Sequence, residues 1–337
     1  MQPAGSFFAY PAASDLITLD SGEAPRFWVT IDTEEDFDWD APFARTGYRL
    51  ASVPALAECQ GYFERAGVKP IYLVDWPIVA DDRAVEILGA ARNAGRCEIG
   101  AQLHPWVTPP YEEDVNERNS YTGNLPAELQ RAKMTALRDA IRDRFGVQPT
   151  AYRAGRYGLG PDTAAMLAEL GFRCDTSVRS GFDYHAGHGP DYRAAPLHPW
   201  WVKVGQGAVL EMPVTTVFGG LFGRAGRWLY HRTSSNSHAA LARLGLAERI
   251  ALTPEGIPAE RACIAIDIAI DLCLPVLNFS FHSPSLQPGN TPYVRSQADL
   301  DLFYRWWDVV LGHLARRGVE ATTAAGILAM AERKAAR

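Results

Sequence analysis

Cysteine is scarce and unpatterned in this chain. Its 337 residues hold five, Cys59, Cys97, Cys174, Cys263 and Cys273, with no Cys-x-x-Cys spacing. An odd count among mostly apolar neighbours predicts buried free thiols in a reducing compartment. Long apolar runs are missing too. The longest such stretch, Ala262 to Leu277, is broken by Asp267, Asp271 and Pro275, and nothing approaches the ~20 apolar residues of a membrane span. Residues 1–19 lack the basic start and continuous apolar core of a secretory leader. A cytoplasmic protein without a transmembrane segment is therefore expected. There is no excess of positive charge: 33 Lys and Arg face 39 Asp and Glu, a net charge of -6 with both signs spread along the chain. That argues against a nucleic-acid surface. No Gly-x-Gly-x-x-Gly follows the first strand, which argues against a dinucleotide fold. No internal repeat or low-complexity tract occurs.

What is present is a 47% hydrophobic chain, enough for a sizeable core, in which strand-like and helix-like segments alternate. Strands are predicted at residues 26–31, 70–75, 98–104, 150–155, 172–178, 276–282 and 319–322. Helices are predicted at 53–66, 81–94, 126–145, 161–170, 258–274 and 297–317, with a last one running to the end. A long loop, 105–125, and an ordered excursion, 180–201, interrupt the pattern. Residues 201–215 read as a hairpin turning at Gly205-Gln206-Gly207, and 218–227 as a Gly-rich loop. Strands separated by helices predict βαβ units and a parallel sheet. A (β/α) barrel suits this order better than an open sheet, because polar residues fall at strand ends throughout the chain and such ends meet on one rim. Residues 1–24 read as an N-terminal extension and 25–337 as one barrel domain.

Three strands carry a polar face. Strand side chains alternate with a period of two. Thr30, Asp32 and Glu34 thus oppose Val29 and Ile31. Glu98, Gln102 and His104 oppose Ile99, Ala101 and Leu103. Asn278, Ser280 and His282 oppose Leu277, Phe279 and Phe281. Asp32 and Glu34 suit a divalent metal ligand beside a general base; the alternative is a solvated acidic loop. His104 is a candidate metal ligand, with Gln102 on its face for substrate or a metal-bound water; the alternative is a structural histidine. His282, with a pKa near neutrality, suits a general acid or base; the alternative is a core histidine satisfied by the serines that follow it. Arg153, in Tyr152-Arg153-Ala154-Gly155-Arg156-Tyr157, suits a bidentate hold on a carboxylate; the alternative is an interior arginine with no functional role. Aromatic residues around Trp106, Tyr111, Trp200 and Trp201 suit sugar rings or serve as loop anchors.

Together these segments resemble the polysaccharide deacetylases, the NodB-homology carbohydrate esterases. The likeness covers about Phe27 to the C-terminus. It rests on Val29-Thr30-Ile31-Asp32-Thr33-Glu34, Tyr152-Arg153-Ala154-Gly155-Arg156-Tyr157, Cys174-Asp175-Thr176-Ser177, Glu211-Met212-Pro213-Val214 and Phe281-His282-Ser283. The sequence Gln102-Leu103-His104-Pro105-Trp106 is similar to that of the WalW-like subgroup. The resemblance implies a distorted (β/α)7 barrel and metal-assisted removal of an N-acetyl group from a sugar or glycan precursor. It implies Asp32 as base, Arg153 as its tether, His282 as acid, and Tyr157 near the oxyanion. Glu34 and His104 would be ligands of a divalent metal, zinc foremost; Gln102 and Trp106 would meet substrate. One departure stands out: Gln102 occupies the place of the first of the two usual metal histidines. Three other readings follow from the same residues. They are a catalytically degenerate carbohydrate binder, a hydrolase of C–N bonds in a ureide-like molecule, and a glycoside hydrolase using Glu34 and Glu211.

Overall fold

A computed structural model describes residues 5–39, 41–233 and 235–335. The strands are β1 (Arg26–Thr33), β2 (Ile71–Val74), β3 (Glu98–Leu103), β4 (Ala151–Ala154), β5 (Cys174–Asp175), β6 (Trp200–Val204), β7 (Gly207–Glu211), β8 (Thr216–Gly219), β9 (Glu248–Ala251), β10 (Val276–His282) and β11 (Glu320–Ala321). The helices are α1 (Leu56–Arg65), α2 (Trp76–Ala80), α3 (Asp82–Asn93), α4 (Ala127–Phe145), α5 (Thr163–Glu169), α6 (Gly223–Arg232), α7 (Ser235–Arg243), α8 (Ala259–Asp271), α9 (Gln297–Arg316) and α10 (Ala324–Ala335).

The main sheet runs β10-β1-β2-β3-β4-β5-β7-β6, parallel except for the β6–β7 hairpin, and β11 pairs with the start of β1. It curls into a distorted (β/α) barrel, as expected. Between β7 and β10 no strand ladder forms. Asn278 closes that gap: its carbonyl accepts from Thr215 N at 3.3 Å, and its amide donates to the Met212 and Pro213 carbonyls at 3.3 and 3.4 Å.

Alternation sorts the core as the sequence predicts. Val29, Ile31, Ile99, Ala101, Leu103, Leu277, Phe279 and Phe281 face the layer that packs on helices such as α1, α4 and α9. Inside the barrel, Trp28, Ile71, Leu73, Ala151, Leu210 and Met212 fill the lower half. Ile17 from the N-terminal segment and Ile327 and Leu328 of α10 plug that end. The upper half holds polar side chains.

Four expectations need correction. Glu98 lies at the plugged end of β3, where its carboxylate accepts from Ala324 N and Ala325 N at 2.7 and 3.1 Å and caps α10; a helix N-terminus attracts an acid. Cys273 is exposed, in the turn after α8. Residues 218–227 are not a loop: β8 pairs antiparallel with β9, and α6 follows. Glycine disfavours a free helix by about 1 kcal/mol each. Here the close contact explains it, since a Cβ on Gly226 would lie 2.7 Å from the Phe218 side chain. Finally, Trp200 and Trp201 sit on β6 and line no part of the main cavity.

Candidate active site

The C-terminal ends of β1, β3, β4 and β10 converge on a cavity of about 500 Å³. Asp32, Glu34, Gln102, His104, Trp106, Arg153, Tyr157 and His282, all predicted from sequence, line it. Strand register explains the meeting. Asp32 pairs with His282 across β1 and β10, and Gln102 with Arg153 across β3 and β4.

Arg153 is wholly buried and ion-pairs with Asp32. Its other N–H groups go to the Thr176 carbonyl at 2.9 Å, Thr30 Oγ1 at 2.9 Å and Thr176 Oγ1 at 3.1 Å. The guanidinium is thus fixed on several sides, and it fixes Asp32 in turn. The second Asp32 oxygen, Oδ2, lies 3.8 Å from His282 Nε2.

His282 is held from behind by Glu255, a residue no periodicity or motif marks. Glu255 Oε2 lies 2.7 Å from His282 Nδ1, and its other oxygen accepts from His282 N at 3.1 Å and Ser285 Oγ at 2.6 Å. Burial pulls the imidazolium down, but Glu255, Glu34 and Asp32 outweigh it and raise the pKa to about 10. His282 therefore stands protonated at neutral pH, with Nε2 turned towards Asp32.

On the opposite flank stand Glu34 and His104. Glu34 Oε2 accepts from Gln102 Nε2 at 3.0 Å and lies 3.4 Å from His104 Nε2. Burial pushes the Glu34 carboxyl up to about 8, against the pull of His282 and His104. Behind His104, Glu35 Oε2 lies 2.9 Å from Nδ1, while Trp106 donates Nε1–H to Glu35 Oε1 at 2.9 Å. Trp106, only 3% exposed, also stacks on the imidazole with centroids 4.4 Å apart. Asp75, from the end of β2, accepts from Glu35 N at 3.0 Å and Ile78 N at 3.0 Å. Burial raises the pKa of both Glu35 and Asp75, and Glu35 raises Asp75 further. Gly155 makes room for His104, since a Cβ there would lie 2.4 Å from the imidazole Cδ2.

Two groups of donors compete for a cation. Glu35, Asp75 and His104 place ligand-type atoms within 4.8 Å of one another. Every carboxylate oxygen of that trio already faces an N–H donor. The cavity-facing set differs: Glu34 Oε1 and Gln102 Oε1 are buried without a hydrogen-bond partner among the described residues. His104 Nε2 lies 3.4 Å from Glu34 Oε2 and 3.4 Å from Gln102 Nε2, so holding a cation there requires the Gln102 amide to turn its oxygen towards the imidazole. A carboxylate, an imidazole and an amide oxygen fit a divalent cation.

Glu211 does not join this site. It alternates with Leu210 and Met212, which face the barrel interior, and it accepts from Val178 N at 3.1 Å on the other face. The two-carboxylate glycosidase reading therefore fails. Sequence reasoning missed Glu35, Asp75 and Glu255, and the aromatic walls Phe37, Trp39, Phe43, Tyr121, Tyr184 and Tyr293. The Glu34-Glu35 doublet after a buried strand was the one available signal; Glu255, in a Pro-Glu-Gly loop, gave none.

Comparison with solved structures gives the fold a precedent. A protein assigned as a polysaccharide deacetylase from Mycobacterium smegmatis aligns at TM-score 0.56 and 17% identity, over 95% of this chain and 96% of that one. A protein from Pseudomonas aeruginosa assigned likewise gives 0.51 and 13%, over 91% of each. PuuE allantoinase gives 0.51 and 13%, over 90% of this chain and 89% of that one. The fold is that of the NodB-type deacetylase and allantoinase barrels. At such identities the likeness carries the fold and nothing finer. No protein-family model matches the chain, and neither does any curated protein.

Proposed function

We propose that the protein is a hydrolase of the polysaccharide-deacetylase type, of the WalW-like subgroup, which removes an N-acetyl group from a sugar or glycan precursor. The observation that carries this reading is the placement of Asp32, tethered by Arg153, beside His282, held by Glu255, at the floor of one cavity. A base and an acid side by side at one space suit attack by water on an amide and departure of an amine.

Asp32 takes the proton of the attacking water; the ion pair with Arg153 keeps its carboxylate oriented. His282 donates from Nε2 to the leaving nitrogen, and Glu255 holds the ring by Nδ1. Glu34 and His104, with the Gln102 amide oxygen, would hold a divalent metal, zinc foremost. When bound, such an ion supplies carbonyl polarisation and a more acidic water. Trp106 and Glu35 set the His104 ring. Tyr157, at the rim, borders the place where the oxyanion would form. Its φ of 62° and the φ of 53° at Arg156 put two consecutive non-glycine residues in the left-handed region, a strain that clusters at working sites.

The test is acetate release from N-acetylated sugars and oligosaccharides by the metal-loaded protein. The reading requires release that disappears in Asp32→Asn and His282→Ala. Turnover of allantoin-type ureides instead would move the protein to the other C–N hydrolases. Glycan binding with no turnover under any divalent ion would make it a binding protein.

A further inference from the structure

The cavity lining falls into two groups. Asp32, Glu34, His104, Arg153, Tyr157 and His282 carry the proposed chemistry; Arg156, Arg179 and Tyr184 also line the space. The mechanism leaves this second group without a role.

Arg179 follows β5, and the chain around it is fixed by Val214 N donating to the Val178 carbonyl at 3.0 Å and Phe182 N to the Arg179 carbonyl at 3.1 Å. Its guanidinium lies 3.9 Å from the centroid of Phe182 and 4.9 Å from that of Tyr157, and it donates Nη1–H to Tyr184 Oη at 3.1 Å. Its Nε is buried with no partner. A second guanidinium, that of Arg249 on β9, lies 3.4 Å from the same Phe182 centroid. Among the described residues no carboxylate lies within 4.0 Å of either arginine. Other arginines in this acidic chain do have such partners, as Arg153 has Asp32 and Arg261 has Glu248. Arg156, which also lines the cavity, lies 4.2 Å from the Tyr121 centroid. Its nearest acid, the 60% exposed Glu117, is 3.9 Å away, too far and too solvated to neutralise it. Burial raises the Tyr184 phenol, and Arg179, Arg249 and Arg156 all pull it back down, so the three cations act on one spot.

Preorganised, unneutralised guanidinium groups beside a reaction centre are what an anion requires. We infer that Arg179, with Arg156, forms a subsite for an oxyanion on the substrate, a phosphate or a carboxylate on the sugar. Arg249 adds to the field without lining the cavity. The inference rests on the reading of this cavity as the substrate site. It narrows the substrate class from any acetylated sugar to an anionic one.

Calorimetric titration of the full chain with glucose 1-phosphate, glucuronate and glucose tests it without turnover. At least one of the two anionic sugars is expected to bind 10-fold or more tightly than glucose, with the advantage shrinking in salt. Whichever binds more tightly identifies the oxyanion. Arg179→Met should remove the preference, Arg156→Met should reduce it, and Asp32→Asn should keep it. Equal affinity for all three sugars overturns the inference; so does an undiminished preference in a folded Arg179→Met protein. The two readings fail separately. Anion preference without acetate release from any sugar would contradict the deacetylase alone, and acetate release without anion preference would contradict the subsite alone.

Discussion

Two buried acid pairs in this barrel look alike and do different things. Asp75–Glu35 stands at the ends of β1 and β2; Asp175–Glu211 stands on β5 and β7. In each pair burial raises the pKa of both groups and the neighbour raises one further, Asp75 in the first and Glu211 in the second. In each pair backbone N–H groups hold carboxylate oxygens, from Glu35 and Ile78 in the first and from Ser177 and Val178 in the second. The first pair touches His104, whose other nitrogen faces the cavity. The second touches Ser177, whose Oγ accepts from Ala154 N at 2.8 Å, and neither of its acids lines the cavity. Buried acids with raised pKa values thus mark sites only when they connect to a reachable space.

Substitutions at the cavity that the first pair adjoins, set against substitutions in the second pair, give graded effects. Loss of the base is the largest. Asp32→Asn should lower kcat by about 10²- to 10⁴-fold, whereas Glu211→Gln should leave kcat unchanged. A steady-state assay of both variants checks this, and equal losses would erase the distinction. Next comes Arg153→Met, which leaves buried Asp32 with only His282, 3.8 Å away, as a charge partner. Removing one partner of such a pair costs about 3–5 kcal/mol, read as a lower unfolding midpoint in urea; an unchanged midpoint would show that Asp32 does not need its tether. Glu35→Gln keeps the shape but weakens the hold on His104 Nδ1. Divalent-metal affinity should fall about 10- to 100-fold, while Asp175→Asn leaves it alone.

The smallest effect concerns pH. The Glu211 pKa is raised well above its ordinary 4.5 in the folded chain. Above that ordinary value the unfolded chain releases the proton and the folded chain keeps it, so stability falls as pH rises. Each such group contributes a slope of up to about 1.4 kcal/mol per pH unit. Glu211→Gln, which keeps a donor towards Asp175, should flatten the decline in unfolding free energy above pH 5. An unaltered slope would mean Glu211 ionises freely.

The sequence made the barrel and half of the site legible, for one reason. Period-two alternation on β1, β3 and β10 and the Arg153 motif are local signals, and the residues they marked line one cavity. Glu255 and Asp75 act at a distance. Glu255 lies 27 residues from His282 in an aperiodic loop, and Asp75, expected only as the last residue of a strand, caps α2. Alternation would send Glu35 away from Glu34, and it does. That outward turn lets Glu35 reach behind His104, a consequence visible only once β1 and β3 lie in one sheet. The start of α6 was illegible because Gly223 and Gly226 serve close packing on Phe218 rather than a loop.

The central claim is that the cavity-facing set, Glu34, His104 and Gln102, holds a divalent metal beside Asp32. Zinc titration by calorimetry of the wild type, Glu34→Ala, His104→Ala and Glu211→Gln tests it most directly. One ion per chain is expected in the wild type and Glu211→Gln, and none in Glu34→Ala or His104→Ala. Absence of stoichiometric binding in the wild type with zinc, cobalt, nickel and manganese, or binding that survives His104→Ala, would contradict it.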